Sequence, residues 1–195
     1  MTTNLPTPKL QGVLNRAARS LPRETGTTAT ASRRVSATGP ALICADVSGS
    51  MQAPAWGGRA KIEILREAIA AIMGEGGRRL ITFSSRPTVD APGIGPAGGG
   101  TDLAAALAAC RELGPSHTLV VSDGQPDSST AALAEAERLP GIIDVLYIGP
   151  DSDRAAMDFM RQLARTGMGA CRSADIARTQ VALAREIRLM IEHHR

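Results

Sequence analysis

The sequence predicts an α/β domain built on a doubly wound, mostly parallel sheet with helices on both faces. Three observations point there. From residue 41 onward, short apolar runs alternate with longer segments whose apolar residues recur every three or four positions, the marks of strands and amphipathic helices respectively. The runs are nearly continuous in Val, Ile and Leu, as expected of strands buried on both faces of a parallel sheet. Oxygen-bearing residues then follow directly where two of these runs end, at Asp46 and at Asp123, the edge at which open α/β sheets bind ligands.

The elements follow in order. Residues 1–38 read as an N-terminal extension, and residues 39–195 as the domain. Within the extension, Leu10 to Leu21 has the spacing of a short helix, with Leu10, Val13, Leu14 and Ala17 on one face. Glu24 to Thr38, rich in Thr, Ala and Ser, reads as a flexible lead-in. Arg16, Arg19, Arg23, Arg33 and Arg34 make it basic, either as a solvated arm or as one that touches a partner. Ala41–Val47 reads as the first strand. Ala60–Met73 is a helix with Ile62, Leu65, Ile69 and Ile72 inward, stopped by Gly74. Arg79–Phe83 is a strand, and Thr88–Asp90 a short edge strand close enough to hairpin back onto it. Then come a helix (Asp102–Leu113), a strand (Thr118–Ser122), a helix ended before Pro140 (Thr130–Leu139) and a strand (Ile142–Ile148). A helix (Asp151–Arg165), a short strand (Gly169–Arg172) and a closing helix (Ala174–Ile191) complete the chain.

Composition bounds the class. A chain of 195 residues with 43% hydrophobic and only 2% aromatic content builds its core from Ala, Leu, Ile and Val. The basic residues are almost all Arg, with Lys only at positions 9 and 61, and the formal charge of +3 is modest, so nucleic-acid binding does not follow from it. No apolar run has the length of a membrane span. The N-terminus lacks the apolar stretch of a secretion signal, so a cytoplasmic location is expected. Cys44, Cys110 and Cys171 are an odd number of widely spaced thiols, expected to be buried and free in a reducing compartment.

The chemistry concentrates in three segments. Asp46-Val47-Ser48-Gly49-Ser50 follows the apolar run Ala41–Ala45; Gly98-Gly99-Gly100-Thr101-Asp102 opens a helix; Ser122-Asp123-Gly124 ends another apolar run. Asp46, Ser48, Ser50, Thr101 and Asp123 offer five side-chain oxygens with no sulfur or imidazole among them. Such a set suits a hard cation, Mg²⁺ first, with Mn²⁺ or Ca²⁺ as alternatives. Fully extended, Asp46 and Ser50 would lie roughly 13 Å apart. Ligands of one ion must be far closer, so the segment has to curl after Asp46, and Gly49 permits that, as the three glycines do for the loop carrying Thr101.

These residues resemble the metal-ion-dependent adhesion site of von Willebrand factor A domains: Asp-x-Ser-x-Ser, a Thr on a second loop and an Asp on a third. Here they read Asp46, Ser48 and Ser50, then Thr101, then Asp123. The resemblance spans roughly residues 39 to 192 and includes the wording around Leu80–Ser84 and Gly100–Leu103. It implies six strands in the order 3-2-1-4-5-6 with one antiparallel edge strand. The strands ending at Asp46 and Asp123 would then be neighbours, about 4.8 Å apart, and two carboxylates so close call for a cation between them. In the family the Ser and Thr oxygens bind the ion, one or both acids act through water, and an acidic side chain of a partner protein takes the remaining position. Met51, Gln52, Trp56 and Gln125 would form the partner-facing rim. The implied function is that of a non-catalytic, metal-dependent protein-binding adaptor, with a MoxR-type AAA+ ATPase as one candidate partner.

Other readings weigh less. Asp46, Ser48 and Ser50 could form a helix-capping turn, and Thr101 could cap the helix starting at Asp102. Asp127 reads as a cap of the following helix. Gly93-Ile94-Gly95-Pro96-Ala97-Gly98 matches a dinucleotide-binding pattern in spelling but lacks the strand and βαβ unit that give it meaning. No phosphate-binding G-x-x-x-x-G-K-[ST] loop occurs, and His117, His193 and His194 do not cluster with cysteines. A metal-dependent phosphohydrolase with Asp46 as nucleophile is the enzymatic alternative. It is disfavoured by Ser48 standing where a second Asp is needed, and no Lys is expected beside the site. The third alternative is a structural domain whose extension carries the interaction.

Overall fold

The structure is a computed structural model that describes residues 37–74, 78–176 and 182–192, all within the compact unit Arg33–Arg195. The helix expected over Leu10–Leu21, nearly all of the basic lead-in, and His193 and His194 lie outside the described residues.

The chain alternates as the sequence predicts. It runs β1 (Ala41–Asp46), α1 (Lys61–Met73), β2 (Arg78–Phe83), β3 (Pro87–Val89), α2 (Leu103–Glu112), β4 (His117–Ser122), α3 (Ser129–Arg138), β5 (Ile142–Tyr147), α4 (Arg154–Thr166), β6 (Met168–Ser173) and α5 (Leu183–Glu192). Short 3-10 turns at Gly49–Gln52 and Trp56–Gly58 fill the link from β1 to α1. The six strands lie in the order β3-β2-β1-β4-β5-β6. Only β3 is antiparallel, paired to β2 as a hairpin; β1 runs parallel to both β2 and β4.

Side chains on the central strands alternate between two cores, as the pleat requires. Ile43, Ala45, Leu119, Val121 and Leu146 face α1 and α5, where they meet Leu65, Ile69, Ile72, Ile187 and Met190. Leu42, Cys44, Phe83, Val120, Val145 and Tyr147 face α2, α3 and α4, meeting Leu107, Ala136, Met160 and Leu163. Burying each large aliphatic side chain contributes roughly 1.5–3 kcal/mol, which is how a chain so poor in aromatics holds together. Cys44 and Cys110 are buried free thiols as expected, and the Cys44 thiol is pushed well above its ordinary range, first by its hydrogen bond with Cys110 and then by burial. Cys171 departs from the expectation: it sits on the edge strand β6, where one flank has no neighbouring strand among the described residues, and is partly exposed.

Capping fixes the helix starts, corrects two expectations and removes one lesser alternative. Asp102, not Thr101, caps α2 by accepting from the Ala105 N–H at 2.9 Å. Ser128, not Asp127, caps α3 through the Ala131 N–H at 3.3 Å. Asp153 caps α4 through the Ala156 N–H at 3.0 Å, so that helix begins at Arg154 and Asp151 lies in the preceding turn. The closing helix begins at Leu183, not Ala174. Ala174 N–H donates to Tyr147 O, and Ile176 O accepts from the Trp56 N–H, each at 2.8 Å, and these bonds hold 174–176 out of helical geometry.

At the amino ends of the strands, His117 Nε2 lies 3.1 Å from Asp144 Oδ2, and Asp144 Oδ1 accepts from the Ala170 N–H at 2.7 Å. Among the described residues no helix is long and apolar enough to cross a membrane.

Candidate functional site

The carboxyl ends of β1 and β4 meet at Asp46. Its neighbour across the ladder, Ser122, donates its hydroxyl to Asp46 Oδ2 at 2.6 Å, and the Ser48 N–H donates to Oδ1 at 2.8 Å. Asp46 has no exposed surface. That burial pushes its carboxyl above the ordinary aspartate range. The bonds from Ser122 and Ser48 work against the rise, and the nearby Asp123 charge adds to it.

Past Asp46 the chain turns in the 3-10 segment Gly49–Gln52, which brings Ser48 Oγ and Ser50 Oγ to 3.0 Å from each other. Ser50 Oγ donates to Asp123 Oδ1 at 2.7 Å. Three oxygens from two strand ends are thereby strung together.

The second loop is laced to the first by backbone bonds: Gly49 N–H to Gly99 O at 3.1 Å and Gly98 N–H to Val47 O at 2.9 Å. The need for glycine here is narrower than the sequence suggests. Gly99 has φ +82, the left-handed region that disfavours a side chain. At Gly100 an added Cβ would lie 2.7 Å from Asp127 Oδ2. At Gly49 it would meet only ordinary contact, 3.4 Å from Gly99 O, so the curl does not depend on a missing side chain there. Asp127 is exposed, and its carboxylate accepts from the Thr101 N–H at 3.0 and 3.1 Å while its own N–H donates to Thr101 O at 2.9 Å. Thr101 is therefore held in place through its backbone by a residue expected only to cap α3.

The largest departure from expectation is Lys61. Its Nζ donates to Asp123 Oδ2 at 2.6 Å, and the side chains of both residues are buried, 8% and 1% exposed. The expectation that no lysine stands near the site is thus corrected. The fold places it there because the link from β1 doubles back: Pro54 bridges Ala60, and the Lys61 N–H donates to Ala53 O at 3.1 Å. Two signals in the sequence pointed to it. Lysine is nearly absent from a chain otherwise rich in arginine, and a cation in the first turn of a helix opposes the helix dipole unless an anion answers it.

The structure thus brings Asp46, Ser48, Ser50 and Asp123 into one hydrogen-bonded cluster, with Thr101 on the adjoining loop. Sequence reasoning missed Lys61, Ser122 and the clamping role of Asp127. Of the expected rim, Trp56 is 50% exposed. Gln52 and Gln125 are exposed, Gln52 with its amide on Ala97 O at 2.7 Å. Met51 is not on the rim: the 3-10 turn points it into the core, where it is fully buried.

The donor set fits a small hard cation. Adjacent ligands of an octahedral ion with bonds of about 2.1 Å lie about 3.0 Å apart, close to the Ser48–Ser50 and Ser50–Asp123 separations. Among the described residues no three His, Cys, Asp or Glu side chains gather at a metal site; this cluster holds two carboxylates, and its other side-chain oxygens are hydroxyls.

Strand order, the antiparallel edge and the two-sided helical cover make this a von Willebrand factor A fold. It is similar to the crystal structure of the SpRpn10 VWA domain, with a TM-score of 0.58 and 12% identity over 78% of this chain and 95% of that one. It is also similar to the manganese-loaded Plasmodium vivax TRAP protein, with a TM-score of 0.56 and 20% identity over 80% of this chain and 73% of that one. No family profile and no curated protein matches the sequence.

Proposed function

We propose that residues 39–195 form a non-catalytic protein-binding module, set behind an N-terminal extension of residues 1–38. Asp46, Ser48, Ser50, Thr101 and Asp123 would hold a divalent ion, Mg²⁺ first and Mn²⁺ or Ca²⁺ as alternatives, with the buried Asp46 acting through water and not as a direct ligand, and a carboxylate of a partner protein would complete its coordination. The observation that carries this reading is the run of closely spaced oxygens Ser48 Oγ, Ser50 Oγ and Asp123 Oδ1 at adjoining strand ends. The manganese in the TRAP structure of the same fold supports a divalent ion. When bound, the ion would supply a Lewis-acidic position for an anionic oxygen.

The chain's own residues prepare that position. Asp46, tied by both oxygens, orients Ser48 and Ser122. Asp127 fixes Thr101. Ser50 is exposed and would open the cluster to a partner, with the exposed Gln52, Trp56 and Gln125 proposed as its rim. We extend the proposal to a cytoplasmic adaptor role, with a MoxR-type AAA+ ATPase as a candidate partner. The phosphohydrolase alternative gains a nearby lysine but loses its nucleophile: Asp46 is fully buried with both oxygens hydrogen-bonded.

The test is stability with and without metal. An ion that binds only the folded chain stabilises it by about 2.7 kcal/mol at 100 times its dissociation constant. Ser48→Ala and Thr101→Ala should each remove most of the increment between EDTA and saturating Mg²⁺. An increment unchanged in both variants would place the ion elsewhere. Phosphate release from an aryl phosphate that is lost in Asp46→Asn would favour the enzyme instead.

A further inference from the structure

We infer that Lys61 is a resident counter-cation of this site, one that weakens the hold on the metal and makes a partner's carboxylate the group that completes its charge. The inference rests on the metal-site reading above and adds a residue to it. Asp123 is 4% exposed and Asp46 not at all, and they face each other across the ends of neighbouring strands. Two carboxylates so placed call for positive charge between them. Lys61 already supplies one positive charge, and it arrives as part of the fold.

Formal charge then distinguishes two designs. Asp46 and Asp123 contribute −2 and Lys61 +1, so the buried cluster stands at −1. Asp127 is exposed and turned onto the Thr101 N–H, so solvent screens it. With a divalent ion bound, the cluster stands at +1 and one carboxylate brings it to zero. Without Lys61 the ion alone would neutralise the acids, and a carboxylate arriving from outside would be surplus.

Geometry supports the division of labour. Asp123 gives Oδ2 to Lys61 and Oδ1 to Ser50, so the ammonium holds one oxygen while the other stays in the hydroxyl cluster. Lys61 is the first residue of α1 and follows directly on the Pro54–Ala60 bridge, so the fold itself delivers the ammonium to Asp123 Oδ2. A fixed charge so close to a cation site in a buried setting acts with little screening.

The experiment measures Mn²⁺ binding by the full chain, by electron paramagnetic resonance of free Mn²⁺, with and without acetate as the carboxylate probe. Wild type is compared with Lys61→Met, Lys61→Gln and Lys61→Arg, and thermal unfolding is followed in EDTA and in Mn²⁺. Lys61→Met should bind Mn²⁺ at least about tenfold more tightly, unfold at lower temperature than wild type in EDTA, and recover in Mn²⁺. Acetate should tighten Mn²⁺ binding in wild type and in Lys61→Arg but not in Lys61→Met. Equal Mn²⁺ affinity in wild type and Lys61→Met would overturn the inference and leave the metal site standing. No Mn²⁺ binding in either would overturn the metal site and the inference together. Binding in Lys61→Met alone, absent from wild type even with acetate, would overturn the inference, because no carboxylate would then complete a metal-bound site in the natural chain. Failure of both Lys61→Met and Lys61→Gln to fold even in saturating Mn²⁺ would reduce the lysine to a structural pair and overturn the inference.

Discussion

The two ends of the sheet each bury an aspartate, and they use it differently. At the amino ends, Asp144 gives one oxygen to the buried His117 and the other to the Ala170 N–H, tying β4, β5 and β6 together. At the carboxyl ends, Asp123 takes Lys61 with one oxygen and an exposed serine hydroxyl with the other. Both acids are almost fully buried. Burial of charge does not by itself mark a site; a chain of hydroxyl oxygens leading from the acid toward solvent does.

Asp144→Ala strikes the amino-end pair directly. It removes the anchor of the β6 start and one partner of a buried pair, and it should cost about 3 kcal/mol of stability. Urea unfolding in EDTA and in Mg²⁺ should show that loss with the metal-dependent increment intact. A loss below about 1 kcal/mol would mean that the amino-end pair is ornamental.

Gly100→Ala tests the other end. Its methyl group would displace the Asp127 carboxylate, 2.7 Å away, and with it the clamp on Thr101. Stability in EDTA should fall by no more than about 1 kcal/mol, while Mn²⁺ binding weakens severalfold. Unaltered binding would show that Asp127 does not position Thr101.

The smallest effect is a titration. Tyr147, the sole tyrosine, has no exposed surface and donates its hydroxyl to Pro150 O at 3.1 Å. Desolvation first, then the charges of Asp153, Asp123, Asp151 and Asp175, push its pKa up to about 12. The folded value lies above the unfolded one, near 10. The neutral phenol therefore contributes stability that is fully present below about pH 10 and is lost as pH rises through about 12. Ultraviolet absorbance of the phenolate should show a midpoint well above 10; a midpoint at 10 would mean that the hydroxyl is hydrated.

Much of this was legible in the sequence, for identifiable reasons. Continuous aliphatic runs such as Ile43–Ala45 and Leu119–Val121 admit little besides buried strands, and the Asp-x-Ser-x-Ser spelling carried the strand order by resemblance. What stayed hidden depends on contacts remote along the chain. Lys61 reaches Asp123 across 62 positions, through a loop closure that no local pattern encodes. Asp127 looked like a cap because Asp before a helix usually is one; the neighbouring Ser128 took that role and freed it for Thr101. Met51 looked accessible beside Ser50, but side-chain direction in a single 3-10 turn does not follow from spacing alone.

The Pro54–Ala60 bridge has a practical consequence. Trp56, Gly57 and Gly58 form an exposed apex, with both glycines at φ +75 and open space where a side chain would go, while the pairing beneath fixes where Lys61 begins its helix. The apex is thus a natural cassette: new peptide can be spliced between fixed posts to redirect recognition, without retuning the charge machinery that the posts hold in register.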